Sequence, residues 1–332
     1  MVKARLSVAP QPGVLHTCRA AWPTATAFVF GSPSPTAPLV LFVGGTGGTL
    51  MSTAYLPALH QGVEARGWAF AQLSMVSVGG TWGGVDVRQD AVDIAAATRY
   101  FKERGAPKIV LVGLSTGASP PPLLLLEPFR QASVPDWPLA LSLATGCQDL
   151  IAYHHASPDY VKVDGIVLQG PVSDREFPDF QRFLETLPDD GPDPLAPGSD
   201  PRQFVPRAWS DFWGARAGIS YARWHSVAAK PTSDEVDLDV SEDFFSSDLS
   251  DARLRNVFAP VACPVLFVLS GNDPSYPPPV KADIPALLAR FRAAAPTFSP
   301  LSLIVEGASH TLRKPKHVEQ FVERVGEFLE TV

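Results

Sequence analysis

KIVLVGLSTG, residues 108–117, reads as a strand that ends in a sharp turn at a serine. Ile109 to Val112 are apolar throughout, the pattern of a strand covered on both faces of a parallel sheet. Gly113-Leu114-Ser115-Thr116-Gly117 fits G-x-S-x-G, in which the glycines make room for a strained strand-to-helix turn that exposes the serine hydroxyl. An ordinary strand-to-helix turn carries similar residues, because Gly and Ser are frequent in turns. The rest of the chain has to decide between the two.

Working outward, the same kind of apolar run recurs as AFVF (27–30), LVLFVG (39–44), AFAQLSMV (69–76), GIVLQG (165–170), VLFVLS (265–270) and LSLIVEG (301–307). Helical patterns lie between them. Asp86 to Arg104 places Val87, Ala91, Ile94, Ala95 and Phe101 on one side, and 284–293 and 317–328 are similar. Strands alternating with helices predict an α/β fold, a mostly parallel doubly wound sheet. Residues 171–258 interrupt the alternation with loop-rich sequence such as DDGPDPLAPGSDPRQF. They read as a cap inserted over the sheet's C-terminal edge, which leaves 25–170 and 259–332 as the core and 1–24 as an N-terminal segment.

Composition narrows the function classes. The 332 residues are 45% hydrophobic and 18% charged, as in a folded soluble protein. The 34 prolines are roughly twice the usual ~5% usage and imply many stiff loops. A net charge of −7 argues against a nucleic-acid partner or an anionic membrane surface. No apolar run approaches the length of a bilayer span, and MVKARLSVAPQPG lacks the apolar centre of a secretory signal. Cys18, Cys147 and Cys263 share no metal-ligand spacing and suit a reducing compartment. A cytoplasmic protein without metal or organic cofactor is expected; nothing in the sequence speaks to oligomeric state.

A nucleophilic serine needs a base, and the base needs an orienting carboxylate. Downstream of Ser115, Asp273 stands in a loop just after VLFVLS, and His310 stands just after LSLIVEG. Both positions fall at C-terminal ends of strands, in the chain order Ser, acid, His. Asp273 in SGNDPS is also a plain turn aspartate, and Asp248 and Asp251 are rival acids that follow no clear strand. His16 and His60 precede the turn, and His154, His155, His225 and His317 do not stand in a strand-end loop. For an oxyanion, VLFVGGTGGTLMS (40–52) offers a glycine-rich turn after an early strand. The Thr46 N–H, with Gly45 as the alternative, and the Thr116 N–H are the expected donors. A phosphate loop is the competing reading of GGTGGT, which lacks both the Lys-Ser/Thr ending and the G-x-G-x-x-G spacing. Trp82, Asp174 and Arg175, with Glu176 beside them, are candidates for the pocket wall; a structural ion pair fits the charged ones equally well.

Taken together these residues resemble the fungal α/β-hydrolases that include the intracellular siderophore esterase acting on fusarinine C. The resemblance runs from about 39 to 328 and is carried by FVGGTGGTL, SVGGTWGGVDVRQDAVDI, GLSTG, GCQDLIAYHH, GIVLQGPVSDREF, ISYARWHSV, EDFFSSDLSD, SGNDPSYPP and EGASH. It implies an α/β-hydrolase fold and a serine hydrolase whose triad is Ser115, Asp273 and His310. It also implies a small-molecule ester substrate. A hydroxamate siderophore ester such as fusarinine C leads, and a generic acyl ester or thioester is the runner-up.

The family's elbow reads G-x-S-T-G-C-Q-D without a break. Here STG ends at Gly117 and CQD begins at Cys147, with the 29 residues 118–146 between them. Pro120, Pro121 and Pro122 cannot sit together inside a helix. LSTG at 114–117 is echoed by LATG at 143–146, and removing 118–146 restores VLVGLSTGCQDLIAYHH. The segment reads as a retained in-frame intron; a lineage-specific loop is the alternative. If the second copy took the elbow, Ala144 would stand where a hydroxyl is needed. An inactive α/β-hydrolase-fold isoform is therefore the competing function. The helix that Ser115 needs is expected to start at Cys147.

Overall fold

The computed structural model describes residues 10–21, 24–45, 48–79, 81–114, 146–156, 160–187, 200–210, 212 and 218–332. Among these residues eight strands form one sheet: β1 (Gly13–Arg19), β2 (Ala25–Phe30), β3 (Leu39–Val43), β4 (Ala69–Ser74), β5 (Ile109–Leu114), β6 (Gly165–Gln169), β7 (Val265–Ser270) and β8 (Leu303–Val305). Their order is β1-β2-β4-β3-β5-β6-β7-β8. Strands β1, β2 and β4 pair antiparallel, and every other pairing is parallel. Every residue of β3, β5, β6 and β7 is buried, which is why those strands read as unbroken apolar runs.

The seven expected strands are present, and an eighth lies inside the N-terminal segment. GVLHTCR carries Val14 and Leu15 on the surface beside His, Thr and Arg. Among the described residues it pairs with β2 alone, and it is mostly exposed, so it lacks the apolar run of a strand covered on both faces. The segment 1–24 therefore does not stand apart from the core, since residues 13–19 are an edge of the sheet.

Within the apolar runs the strand alternation persists, sorted between two cores. Leu39, Leu41 and Val43 face one side with Ile109, Leu111, Ile166, Leu168, Phe267 and Leu269. Helices α2 (Val87–Glu103), α3 (Gly146–Ala156) and α9 (Ile284–Ala294) cover that side. Val40, Phe42, Val110, Val112, Val167 and Val268 face the other, under α1 (Leu56–Glu64) and α10 (Pro315–Thr331). The short helix α8 (Pro278–Ala282) leads into α9. Helix α2 starts where expected, because the Asp86 side chain accepts from the Gln89 N–H and caps it. Among the described residues, no helix is long and apolar enough to cross a membrane.

Between β6 and β7 the described residues form α4 (Pro178–Leu184), α5 (Arg207–Ser210), α6 (Tyr221–Ala228) and α7 (Asp251–Phe258). This stretch, expected to act as one cap, divides by packing. Phe180, Phe183, Val205, Ile219 and Val227 form a small core of their own with Trp82. Phe244, Phe245, Leu254, Val257 and Phe258 belong instead to the main core. The Phe258 ring meets Phe245, Phe267 of β7 and Phe291 of α9 at centroid distances of 6.4, 5.5 and 6.2 Å. Phe258→Ala is expected to cost about 3–5 kcal/mol in chemical denaturation, the usual loss for a core phenylalanine. A loss under about 1 kcal/mol would place α7 with the cap after all.

Candidate functional site

The site is organised at the C-terminal end of β5, in the middle of the parallel strands. Gly113 stands opposite Val43 of β3 on one side and Leu168 of β6 on the other. The next described residue after Leu114, Gly146, opens α3 directly against Gly113. A Cβ on Gly146 would lie 2.3 Å from the Leu114 carbonyl oxygen and 2.8 Å from that of Val43. A Cβ on Gly113 would lie 2.5 Å from the Gly146 carbonyl oxygen. Backbone meets backbone here, so only glycine fits on either side. This is the close strand-to-helix approach that G-x-S-x-G permits, but the second glycine in contact is Gly146. The helix begins one residue before the expected Cys147. Ser115, Thr116, Thr46 and residues 118–145 lie outside the described residues. Gly146→Ala is expected to destabilise the chain by at least ~1–3 kcal/mol, the usual cost of overpacking, because the opposing atoms are backbone and cannot step aside. An unchanged denaturation midpoint would contradict this placement.

Two strands over, the expected acid and base come together. The loop after β7 carries Asp273 and the loop after β8 carries His310. The two loops are stitched by Gly271 N–H to Val305 O (2.9 Å) and Asn272 N–H to Ala308 O (2.8 Å). His310 Nδ1 lies 2.5 Å from Asp273 Oδ2, with the aspartate fully buried and the histidine 3% exposed. Asp273 Oδ1 accepts from the Ser275 N–H at 2.9 Å, which fixes the carboxylate plane. A buried carboxylate beside Nδ1 holds the ring proton there, so Nε2 presents a lone pair. Such a ring can take a proton from a hydroxyl. Gly170, at φ +61°, lies against the imidazole: a Cβ there would be 3.3 Å from His310 Cε1.

The glycine-rich turn after β3 is held by a residue that the sequence did not single out. Gln72 of β4 accepts from Met51 N–H (3.0 Å) and donates to the Thr49 carbonyl (3.2 Å). The Gly45 carbonyl accepts from Gly48 N–H at 3.0 Å. Gln72, Gly44 and Gly45 share a cleft of about 10 Å³, room for one water.

The other candidates are placed as follows. Trp82 is buried in the small apolar core with Phe180 and Ile219. Arg175 donates to Asp243 (2.8 Å) and pairs with Asp248, which also pairs with Lys230 at 2.7 Å. Asp251 opens α7 and pairs with Arg290 at 2.8 Å. Both rival acids are thus engaged in ion pairs away from His310. Asp174 accepts from Gln148 Nε2 at 3.4 Å, beside the start of α3. Among the described residues no three His, Cys, Asp or Glu side chains group as a metal site would need.

A buried charge cluster joins α6 to the core. Arg223 donates to Glu242 Oε2 at 2.5 Å and has Asp90, Asp149 and Asp174 as further electrostatic neighbours. Burial pushes the Glu242 carboxyl up to about 7 despite that guanidinium. Burial also raises Asp90 well above its usual 3.8, against the opposing pull of the Ser77 hydroxyl and Arg223. A carboxyl raised in the fold contributes most stability below its unfolded pKa, and loses that contribution as pH rises through the folded one. Asp90→Asn removes this loss. The melting temperature of the variant relative to the wild type is expected to climb steadily between about pH 4 and pH 8. A difference that stays flat over that range would contradict an uphill ionisation at Asp90.

With this geometry in view, similarity to known proteins becomes informative. The sequence profile of the family described as protein of unknown function (DUF1749) matches residues 6–120 and 139–330. The chain belongs to the DUF1749 family. It is 28% identical to esterase AN6793 of Emericella nidulans over 97% of this chain and 93% of that one. It is also 28% identical to the fusarinine C esterase sidJ of Aspergillus fumigatus, over 93% and 92% of the two chains. Among solved structures, siderophore hydrolase EstB from Aspergillus fumigatus superposes with a TM-score of 0.71 at 26% identity, covering 98% of each chain. Est1E from Butyrivibrio proteoclasticus superposes at 0.56 with 14% identity, over 96% and 98% of the chains, a likeness of fold. The chain has an α/β-hydrolase fold. The family profile passes over residues 121–138, inside the segment that interrupts the elbow sequence.

Proposed function

We propose that the protein is a serine esterase that cleaves its substrate through an acyl-enzyme, with a hydroxamate siderophore ester as the leading substrate. The observation that carries this reading is the buried His310–Asp273 pair, set at the same edge of the sheet as the strand that leads into Ser115. The names of relatives that span nearly the whole chain, a fusarinine C esterase and a siderophore hydrolase, support the ester and its class.

In this mechanism His310 Nε2 takes the Ser115 hydroxyl proton as Oγ attacks the ester carbonyl. Asp273 holds the imidazolium that results. The N–H groups of Thr116 and of Thr46, or Gly45, stabilise the oxyanion. Collapse of the tetrahedral intermediate breaks the ester C–O bond, and His310 returns its proton to the departing alkoxide. Water then attacks the acyl-enzyme with its proton going to Nε2, and the acid leaves as Ser115 is reprotonated. A generic carboxylester or thioester would run through the same steps.

The second reading is an inactive isoform, in which 118–146 is a retained intron product that spoils the nucleophile turn. It is favoured by the family profile skipping 121–138 and by Gly146, not a residue next to Ser115, closing on β5. Ester turnover by the full chain and by a chain lacking 118–146, measured side by side with fusarinine C among the substrates, separates the two. Under the proposal the full chain turns over ester, while Ser115→Ala, His310→Ala and Asp273→Asn each lose on the order of 10⁴-fold in kcat. Turnover by the shortened chain alone would establish the isoform instead. cDNA sequence across the junction would show whether mature transcripts keep the segment.

A further inference from the structure

Gln169 is the last residue of β6 and is fully buried. Three parts of the candidate site converge on it. Sheet register sets it opposite Leu114, the residue before Ser115. The thiol of Cys147, in the first turn of α3, shares its one hydrogen between the Gln169 carbonyl at 3.6 Å and that of Gly113 at 3.5 Å. Its side-chain Nε2 donates to the His310 carbonyl at 3.0 Å, while its Oε1 accepts from the Tyr55 hydroxyl at 3.0 Å.

The chemistry of the partners fixes the amide. A backbone carbonyl can only accept, so the NH₂ end must face His310, and the oxygen is left for the tyrosine. Tyr55 is itself buried against Phe42 and Phe321, with ring centroids 6.3 and 5.2 Å away, so it is a rigid anchor. The contact with Asp273 alone would leave the imidazole free to pivot about the Nδ1···Oδ2 line. The hold on its backbone carbonyl fixes the point from which the ring hangs, and Gly170 closes on the ring itself.

We infer that Gln169 is a positioning residue: it sets the His310 imidazole relative to the strand that leads into Ser115, through the Tyr55–Gln169–His310 chain. This rests on the serine-esterase reading above. An amide suits the task because it donates and accepts at once. Leucine does neither. A glutamic acid can donate to the His310 carbonyl only while it is protonated.

The test uses the full chain with Gln169→Leu, Gln169→Glu and Tyr55→Phe. Gln169→Leu is expected to lower kcat on the order of 10²-fold with KM nearly unchanged, the effect of a base displaced by about an ångström. Tyr55→Phe moves kcat in the same direction by less. Gln169→Glu works at the lower end of the active pH range and then loses activity as pH rises and the carboxyl ionises, a limb that the wild type lacks. A folded Gln169→Leu with wild-type kcat, or a Gln169→Glu profile parallel to the wild type, would overturn the inference. If Gln169→Leu fails to fold, the Gln169→Glu profile decides. Proton NMR reads the same geometry without turnover. The His310 Nδ1 proton should resonate far downfield in the wild type and shift or broaden away in the Gln169 variants. If the wild type cleaves no ester, the esterase reading falls, and an unmoved downfield proton would then overturn the positioning role as well.

Discussion

The backbones of Gly113 and Gly146 approach so closely that neither position has room for a methyl group. The way α3 seats on the middle of the sheet depends on that approach. It brings the first turn of α3 against the end of β5, and so lets Cys147 bond to the carbonyls of both Gly113 and Gln169. It also leaves β5 and β6 in unbroken register up to Leu114 and Gln169, from which the His310 loop is held. A hydrolase elbow works because strand and helix are locked before the nucleophile is placed. In this chain the lock is made by two residues 33 positions apart.

That separation gives the interrupted sequence a physical meaning. β5 and α3 pack against each other although residues 115–145 stand between them in sequence. Leu114 and Gly146 lie against each other, 32 positions apart in sequence. Fold and activity are therefore separate questions here, and the buried acid–base pair bears on the second.

Much of this was legible in the sequence, for reasons that differ by residue. Strands β3, β5, β6 and β7 announced themselves because parallel strands buried on both faces must be apolar throughout, and β2, β4 and β8 are apolar enough to follow; β1, largely exposed, carries no such mark. Asp273 and His310 could be picked out because each follows a strand run in the order that the chemistry requires. Gln72 and Gln169 could not, because a lone glutamine in a strand has no pattern, and its worth lies in the backbone groups and hydroxyl that the fold brings to it. Arg175 and Trp82 were candidates for the pocket. The partners that engage them, Asp243, Asp248, Phe180 and Ile219, lie distant in sequence, as do Asp90 and Glu242 around Arg223. Long-range pairing of charges is what one sequence conceals best.

The central claim is that Ser115 is a nucleophile served by His310 and Asp273. Its most direct test is to treat the full chain with a fluorophosphonate and locate the adduct by peptide mass spectrometry. The account predicts one phosphonylated residue, Ser115, with labelling abolished in His310→Ala. A chain that stays unlabelled, or carries its adduct on another residue, would contradict it.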